Sequence, residues 1–228
     1  MDLKELAARE AQGHVRDGMV LGLGSGTTMR HFLALLGQRL QAGELRDVVG
    51  VATSAAVEAL ARRAGIPLTT LEAHPRLDLA VDGADEVGPR LDLIKGLGRA
   101  LLREKIVAAQ ADRFLIIVDE SKLVERLGAG PLPVEILPFG AAVQVRWLQG
   151  LSSRAELWRE DDGRPIVTDN GNHLARCWFE GGIPDPQALA RALADRAGIV
   201  EHGLFLGMAD AVIVAGPQGA RTLAAPDS

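Results

Sequence analysis

Short apolar runs that alternate with longer amphipathic stretches constrain this chain more than any other feature. MVLGLG (19–24), Asp47–Ala52, IPLTTL (66–71), Leu77–Val81 and RFLIIVD (113–119) read as strands. Helical patterns lie between them, including one after Thr28 and one over Ala55–Ala64, and a one-sided helix over residues 3–16 leads in. Strands separated by single helices argue an α/β chain with a mostly parallel sheet and helices on both faces. In such sheets ligands sit beyond the carboxyl ends of the strands.

From Gly128 the texture changes. GAGPLP is a turn-rich connection, followed by a strand (Val134–Leu137), a helix (Gly140–Leu148), two strands joined at EDDGR (160–164), a helix (Pro186–Ala197) and a strand from Gly198. The order β-α-β-β-α-β is that of a ferredoxin-like α+β unit. GLF and DAVIVAG then return to buried-strand texture. The expected organisation is one domain from residues 1–127 and 204–228, with a smaller one at 128–203. The terminal PQGARTLAAPDS (217–228) reads as a short helix and a frayed end.

Polar chemistry gathers at the strand ends. In GLGSGTT (22–28) the glycines let the backbone turn sharply and leave N–H groups and hydroxyls at a helix N-terminus, where an anion is favoured. Thr27 stands where a dinucleotide fingerprint needs its third glycine, no acid ends the second strand, and the P-loop GK[ST] is absent, so the loop suits a single phosphate group. Thr53-Ser54 is an N-cap or a second ligand contact. The stretch 78–105, DLAVDGADEVGPRLDLIKGLGRALLREK, carries Asp82, Asp85 and Glu86, then Lys95 in a Gly-rich turn, then Glu104 on a helix.

At 100° per residue Glu104 lies mid-way across an apolar arc of Leu97, Ala100, Leu101, Val107, Ala108 and Ala111. Burial there would raise a carboxyl pKa and make a better base near neutrality; the structural alternative is a buried glutamate paired with Lys95, Lys122 or a backbone donor. Asp82 and Asp85 could ligate Mg²⁺ or hydrogen-bond sugar hydroxyls. No histidine joins them and Lys95 would compete with a cation, so hydroxyl recognition is preferred. Lys122 follows RFLIIVD on the same rim, whereas Lys4 reads as a solvated charge, the alternative being a reach to a bound phosphate. The inventory suits proton abstraction beside a carbonyl in a phosphorylated sugar.

Composition excludes other classes. Net charge is −5 over 228 residues with the signs interspersed, which disfavours nucleic acid as a partner. No apolar run approaches ~20 residues, so no membrane span is expected. The single Cys177 cannot form an intrachain disulfide and fits a reducing cytoplasm, as a small buried hydrophobe.

GLGSGTT (22–28), AVDGADEV (80–87), LIKGLGRALLREKI (94–106), DESKLV (119–124), PLPVEI (131–136), TDNGN (168–172) and VEHGLF (200–205) together resemble ribose-5-phosphate isomerase, type A. DGADE followed at this spacing by KGxGxALxREK is highly specific. The resemblance implies a Rossmann-like domain with a ferredoxin-like companion. It also implies interconversion of D-ribose 5-phosphate and D-ribulose 5-phosphate in the non-oxidative pentose phosphate pathway. No metal or organic cofactor is implied, and the family is usually a homo-oligomer, with a dimer favoured here. It makes Glu104 the proton acceptor through a cis-enediolate, with Asp82 and Lys95 assisting ring opening. Ser25, Gly26, Thr27 and Thr28, then Asp82, Gly83, Ala84 and Asp85, then Lys95, Gly96, Leu97 and Gly98, and Lys122, match its substrate contacts. The family commonly reads KGGGAAL where this chain has KGLGRAL; if the place of Leu97 needs positive φ, the turn must shift.

Other readings exist for such an architecture. An amino-sugar phosphate deaminase would usually need a histidine at the site, and a sugar-phosphate sensor would carry a DNA-binding module ahead of the first strand.

Overall fold

A computed structural model describes residues 2–224. The first half forms helix α1 (Leu3–Ala11), strand β1 (Val20–Leu23), α2 (Thr27–Gln41), β2 (Val49–Ala52), α3 (Ala55–Arg63), β3 (Leu79–Asp82), β4 (Glu86–Val87), β5 (Leu93–Ile94), α4 (Leu101–Ala109) and β6 (Phe114–Asp119). There follow β7 (Leu132–Ile136), α5 (Ala141–Gln149), β8 (Arg154–Leu157), β9 (His173–Trp178), α6 (Pro186–Ala194), β10 (Ile199–His202), β11 (Leu204–Phe205), β12 (Ala211–Gly216) and β13 (Gly219–Ala224). They divide into two compact units: Met1–Ala84, Arg103–Lys122 and Met208–Ser228, and Asp85–Leu102 with Leu123–Gly207.

The first unit is built on a six-stranded sheet in the order β13-β12-β6-β3-β1-β2, parallel except for β13. Side chains alternate along β1, and this separates its two faces. Leu21 and Leu23 join a core with Ala7 and Ala11 of α1 and Phe32 and Leu36 of α2. Between them, a Cβ added at Gly22 would meet Val107 Cγ1 of α4 at 2.6 Å. Helices therefore cover both faces, as the alternating pattern requires. The chain runs from β1 outward to β2, then returns to place β3 on the other side of β1. That reversal between β1 and β3 is a topological switch point, where a parallel sheet leaves a crevice.

Two expectations fail in this unit. IPLTTL is not a strand: only Leu68 bridges to Gly50, through Gly50 N–H to Pro67 O (2.9 Å) and Thr69 N–H to Gly50 O (2.9 Å). Pro67 has no N–H to extend the ladder. Past Leu68 the segment leaves the sheet edge, and a cavity of about 430 Å³ opens between it, α3 and α4. The C-terminal segment is not a helix either. Gly216 pairs with Gly219 around a two-residue Pro217-Gln218 turn, and Gly219–Ala224 runs back as an edge strand on β12. Residues 225–228 of the expected frayed end lie outside the described residues.

The second unit holds a four-stranded antiparallel sheet, β10-β7-β9-β8, with α5 and α6 in the chain order β-α-β-β-α-β. The second strand of the expected EDDGR hairpin is displaced. β8 pairs with β9, and the chain between them makes only isolated bridges, Arg159–Pro165 and Val167–His173. Pro165, lacking a donor, again interrupts the ladder. TDNGN is a turn held from within: the fully buried Glu135 Oε1 accepts from Thr168 Oγ1 (2.9 Å), Asn170 Nδ2 (3.0 Å) and Asn172 Nδ2 (2.9 Å). Cys177 is buried in this unit's core, and burial pushes its thiol up to about 12, so it is an inert hydrophobe at neutral pH.

The units part from the expected boundaries at 128 and 203. Residues 85–102, 123–127 and 204–207 belong with the second unit, because β5 pairs with both β4 and β11 in a small antiparallel sheet. Val124 N–H bonding to Val87 O (3.0 Å) ties in the 123–127 segment. Residues far apart in sequence complete that sheet, so its membership is not a local property.

Candidate active site

In the first unit the carboxyl ends of four neighbouring strands carry the polar groups. In sheet order these are Lys122 after β6, Asp82 ending β3, Ser25 after β1, and Thr53-Ser54 after β2. Asp82, only 2% exposed, is held by the backbone at the β1/β3 switch point: its Oδ1 accepts from Ser25 N–H (3.0 Å) and Gly83 N–H (2.7 Å). The approach demands glycine at 24, because a Cβ there would lie 2.1 Å from the Asp82 carboxyl carbon.

Gly26, at φ 104°, is the N-cap of α2 and brings no side chain to it. Thr27 and Thr28 therefore begin a 15-residue helix whose first N–H groups face the loop, an arrangement that favours an anion. Two residues make contacts here that the sequence left open between alternatives. Lys4 of α1 donates from Nζ to Thr27 Oγ1 (2.9 Å), so it reaches the loop instead of standing free in solvent. Thr53 Oγ1 gives its one proton to Leu23 O (2.9 Å), so at its 2.8 Å contact with Ser25 Oγ it must accept, which orients the serine hydroxyl. Ser54 is the N-cap of α3, accepting from Val57 N–H (3.2 Å). Pairing across β1 and β2, invisible in local sequence, brings these hydroxyls together.

Glu104 is 3% exposed. It shares a face of α4 with Val107, one turn nearer the helix N-terminus, and Val107 lies against Gly22 of β1, the residue paired with Ala80 of β3. A crossover helix runs opposite to its parallel strands, so Glu104 is directed toward the carboxyl ends of β1 and β3. Lys122 closes a short 3-10 turn after β6, and Ser121 N–H donates to Asp119 Oδ1 (3.0 Å) within that turn. Gly83 and Ala84 are half-buried just beyond Asp82.

The second unit carries the other candidates. Lys95, 2% exposed, follows β5, with Nζ 5.5 Å from the centroid of Phe205 on β11. Its N–H donates to Gly203 O (2.9 Å), and a Cβ on Gly203 would sit 2.2 Å from Lys95 O. VEHGLF therefore supplies a glycine for close approach and an aromatic face for an ammonium. Asp85 Oδ2 accepts from Leu97 N–H (2.9 Å), tying the acidic segment to the Gly-rich turn. Positive φ in that turn falls on Gly96 (111°) and Arg99 (70°), and not on Leu97, so leucine at 97 needs no shift of the backbone. Glu86, the third acid of the cluster, is structural: its carboxylate accepts from Gly128 N–H (2.7 Å) and from Gly130 N–H.

A family model for ribose 5-phosphate isomerase A (phosphoriboisomerase A) matches residues 49–219. The chain belongs to that family. A ribose-5-phosphate isomerase A of Rhodopseudomonas palustris (strain HaA2) is 51% identical over 97% of each chain. One from Roseiflexus castenholzii is 52% identical, over 97% of this chain and 95% of its own. Among solved structures, a D-ribose-5-phosphate isomerase in complex with phospho-erythronic acid has a TM-score of 0.94 at 40% identity over 98% of each chain. The ribose 5-phosphate isomerase A of Methanocaldococcus jannaschii has 0.92 at 41%, again over 98% of each. As a ribose-5-phosphate isomerase, this chain interconverts ribose 5-phosphate and ribulose 5-phosphate. No helix among its described residues is long and apolar enough to cross a membrane.

Proposed function

We propose that the isomerisation proceeds by cofactor-free proton transfer through a cis-enediolate, with Glu104 carrying the proton between C2 and C1. The observation that supports this most is a carboxylate 3% exposed, borne on the sheet-facing side of α4 and directed toward the strand ends that hold Asp82 and Ser25. A desolvated carboxylate is a stronger base than one in water, and an enediolate needs donors pre-set around its developing charge.

In this reading residues 24–28 and the start of α2 take the phosphate, aided by Lys4. Asp82, Gly83, Ala84 and Asp85 hold sugar hydroxyls, and Lys122 contributes positive charge. Asp82 and Lys95 assist ring opening, and Lys95 with the N–H groups of 96–98 steadies the enediolate oxygen. Phospho-erythronic acid, bound by a solved relative, is a phosphorylated sugar acid of the kind such a site would accept. Purified protein should interconvert the two pentose phosphates at an unchanged rate in excess chelator. Activity that vanishes on chelation and returns with a divalent ion would sink the cofactor-free mechanism.

The protein is further proposed to act in the cytoplasm as a homo-oligomer, with a dimer favoured. Phe139 is 92% exposed, with Val143 at 55% and Leu137 at 44% close in sequence, more apolar surface than a lone chain usually shows in one segment. Sedimentation at micromolar concentration should give a species larger than one chain; a clean monomer would refute assembly.

A further inference from the structure

We propose that Arg99 is a positioning residue for the isomerisation, fastening the Gly96–Arg99 turn to the 158–164 segment through Glu160. This rests on the reading that Lys95–Gly98 contact substrate.

Arg99 has φ +70°, a conformation that L side chains rarely adopt and that persists only where its surroundings impose it. Its N–H closes the turn onto Gly96 O (2.9 Å). The turn has little packing of its own: Leu97, Gly98 and Arg99 are exposed, and a Cβ added at Gly98 would meet nothing within 4 Å. What holds it is polar. Asp85 takes the Leu97 N–H, and the Arg99 guanidinium forks onto both oxygens of Glu160, Nη1 to Oε1 at 2.6 Å and Nη2 to Oε2 at 3.1 Å.

Two parallel bonds fix direction as well as distance. The guanidinium also lies 5.4 Å from the Trp158 ring centroid, and Arg176 lies 4.9 Å from the same ring. The far end of the tether is anchored. Trp158 N–H bonds to Leu174 O of β9 (2.7 Å), and Trp158 O accepts from Ile166 N–H (3.0 Å). Glu160 N–H bonds to Arg164 O (2.8 Å). The tether thus joins the turn to the four-stranded sheet and keeps its N–H groups aimed before substrate arrives. Without it, ordering the turn becomes part of the binding step, which raises KM and leaves kcat nearly unchanged.

The test compares wild type with Arg99→Ala, Arg99→Lys, Glu160→Gln and the Arg99→Ala/Glu160→Gln double variant. Two readouts are kcat and KM for ribose 5-phosphate at low and high salt, and amide hydrogen exchange over residues 95–101 of the free protein. With side-chain exposures of 43% and 41%, either partner can be replaced without opening the core. Each of Arg99→Ala and Glu160→Gln should raise KM about three- to tenfold, with kcat within about twofold, and speed exchange at Leu97 and Arg99. The double variant should be no worse than either single, and salt should raise the wild-type KM toward theirs. Lysine at 99 should recover only part, since an ammonium cannot fork. Unchanged KM and exchange in Arg99→Ala, or additive single effects, would overturn the tether. Should wild type fail to turn over ribose 5-phosphate, the site reading falls, while the exchange data still decide the tether.

Discussion

Glu104→Gln is expected to lower kcat about a thousandfold, with KM changed little. Glutamine keeps the size and hydrogen-bonding reach of the side chain but cannot hold the transferred proton. Positioned general bases contribute about 10²- to 10⁴-fold, and a thousandfold corresponds to about 4 kcal/mol of transition-state stabilisation. The decisive measurement is exchange of the C2 proton with deuterated solvent, followed by NMR; exchange at a near-normal rate would remove Glu104 from the role of base. Thermal unfolding separates the competing structural role. A carboxylate kept only to pair within the fold would leave an uncompensated partner when neutralised, so Tm would fall by several degrees while kcat survived.

The second large effect is expected from Gly24→Ala, far from Glu104 in sequence. The added methyl would lie 2.1 Å from Cγ and 2.2 Å from Oδ1 of Asp82, so the carboxylate must move and release the N–H groups of Ser25 and Gly83. Both the proposed phosphate loop and the proposed ring-opening acid are then displaced together. We expect kcat/KM to drop about a hundredfold, about 2.7 kcal/mol, with stability lowered by about 1–3 kcal/mol as for other overpacked sites. Gly13→Ala is the matched control, since a Cβ there meets nothing within 4 Å and its φ is not in the positive region. Wild-type kcat/KM in Gly24→Ala would mean that the Asp82 carboxylate has no fixed position to lose.

The residues proposed for catalysis were legible because each stands in a motif with its own local logic. Glycines precede a helix, acids follow an apolar strand, and Glu104 sits on the apolar arc of a helix. Their supports were not legible. Thr53 looks like half of an N-cap until β1 and β2 pair and bring it to Ser25. Lys4 reads as a surface charge or as a reach toward a phosphate, and only the packing of α1 beside α2 puts it on Thr27. Glu86 looks like part of an acidic site until its carboxylate is found on the N–H groups of Gly128 and Gly130. The misread segments failed for different physical reasons. Apolar content suggested a strand at IPLTTL, where Pro67 confines pairing to one bridge; end-of-chain position suggested a short helix and a frayed end over residues 217–228, where β12 offered an open edge to Gly219–Ala224.

The sequence by itself determined the α/β alternation, the β-α-β-β-α-β order, the glycine- and hydroxyl-rich loop ahead of α2 and the burial of Glu104. All of these depend on periodicity or on residues within one or two turns of each other. Only the tertiary structure decided that the loop and Asp82 share a switch point, that Leu97 fits its turn without strain, and that Arg99 reaches Glu160. It also decided that residues 85–102 side with the second unit. Each of these depends on which strands and side chains meet across tens of residues, and such encounters are set by the packing of the whole chain and leave no local pattern to read.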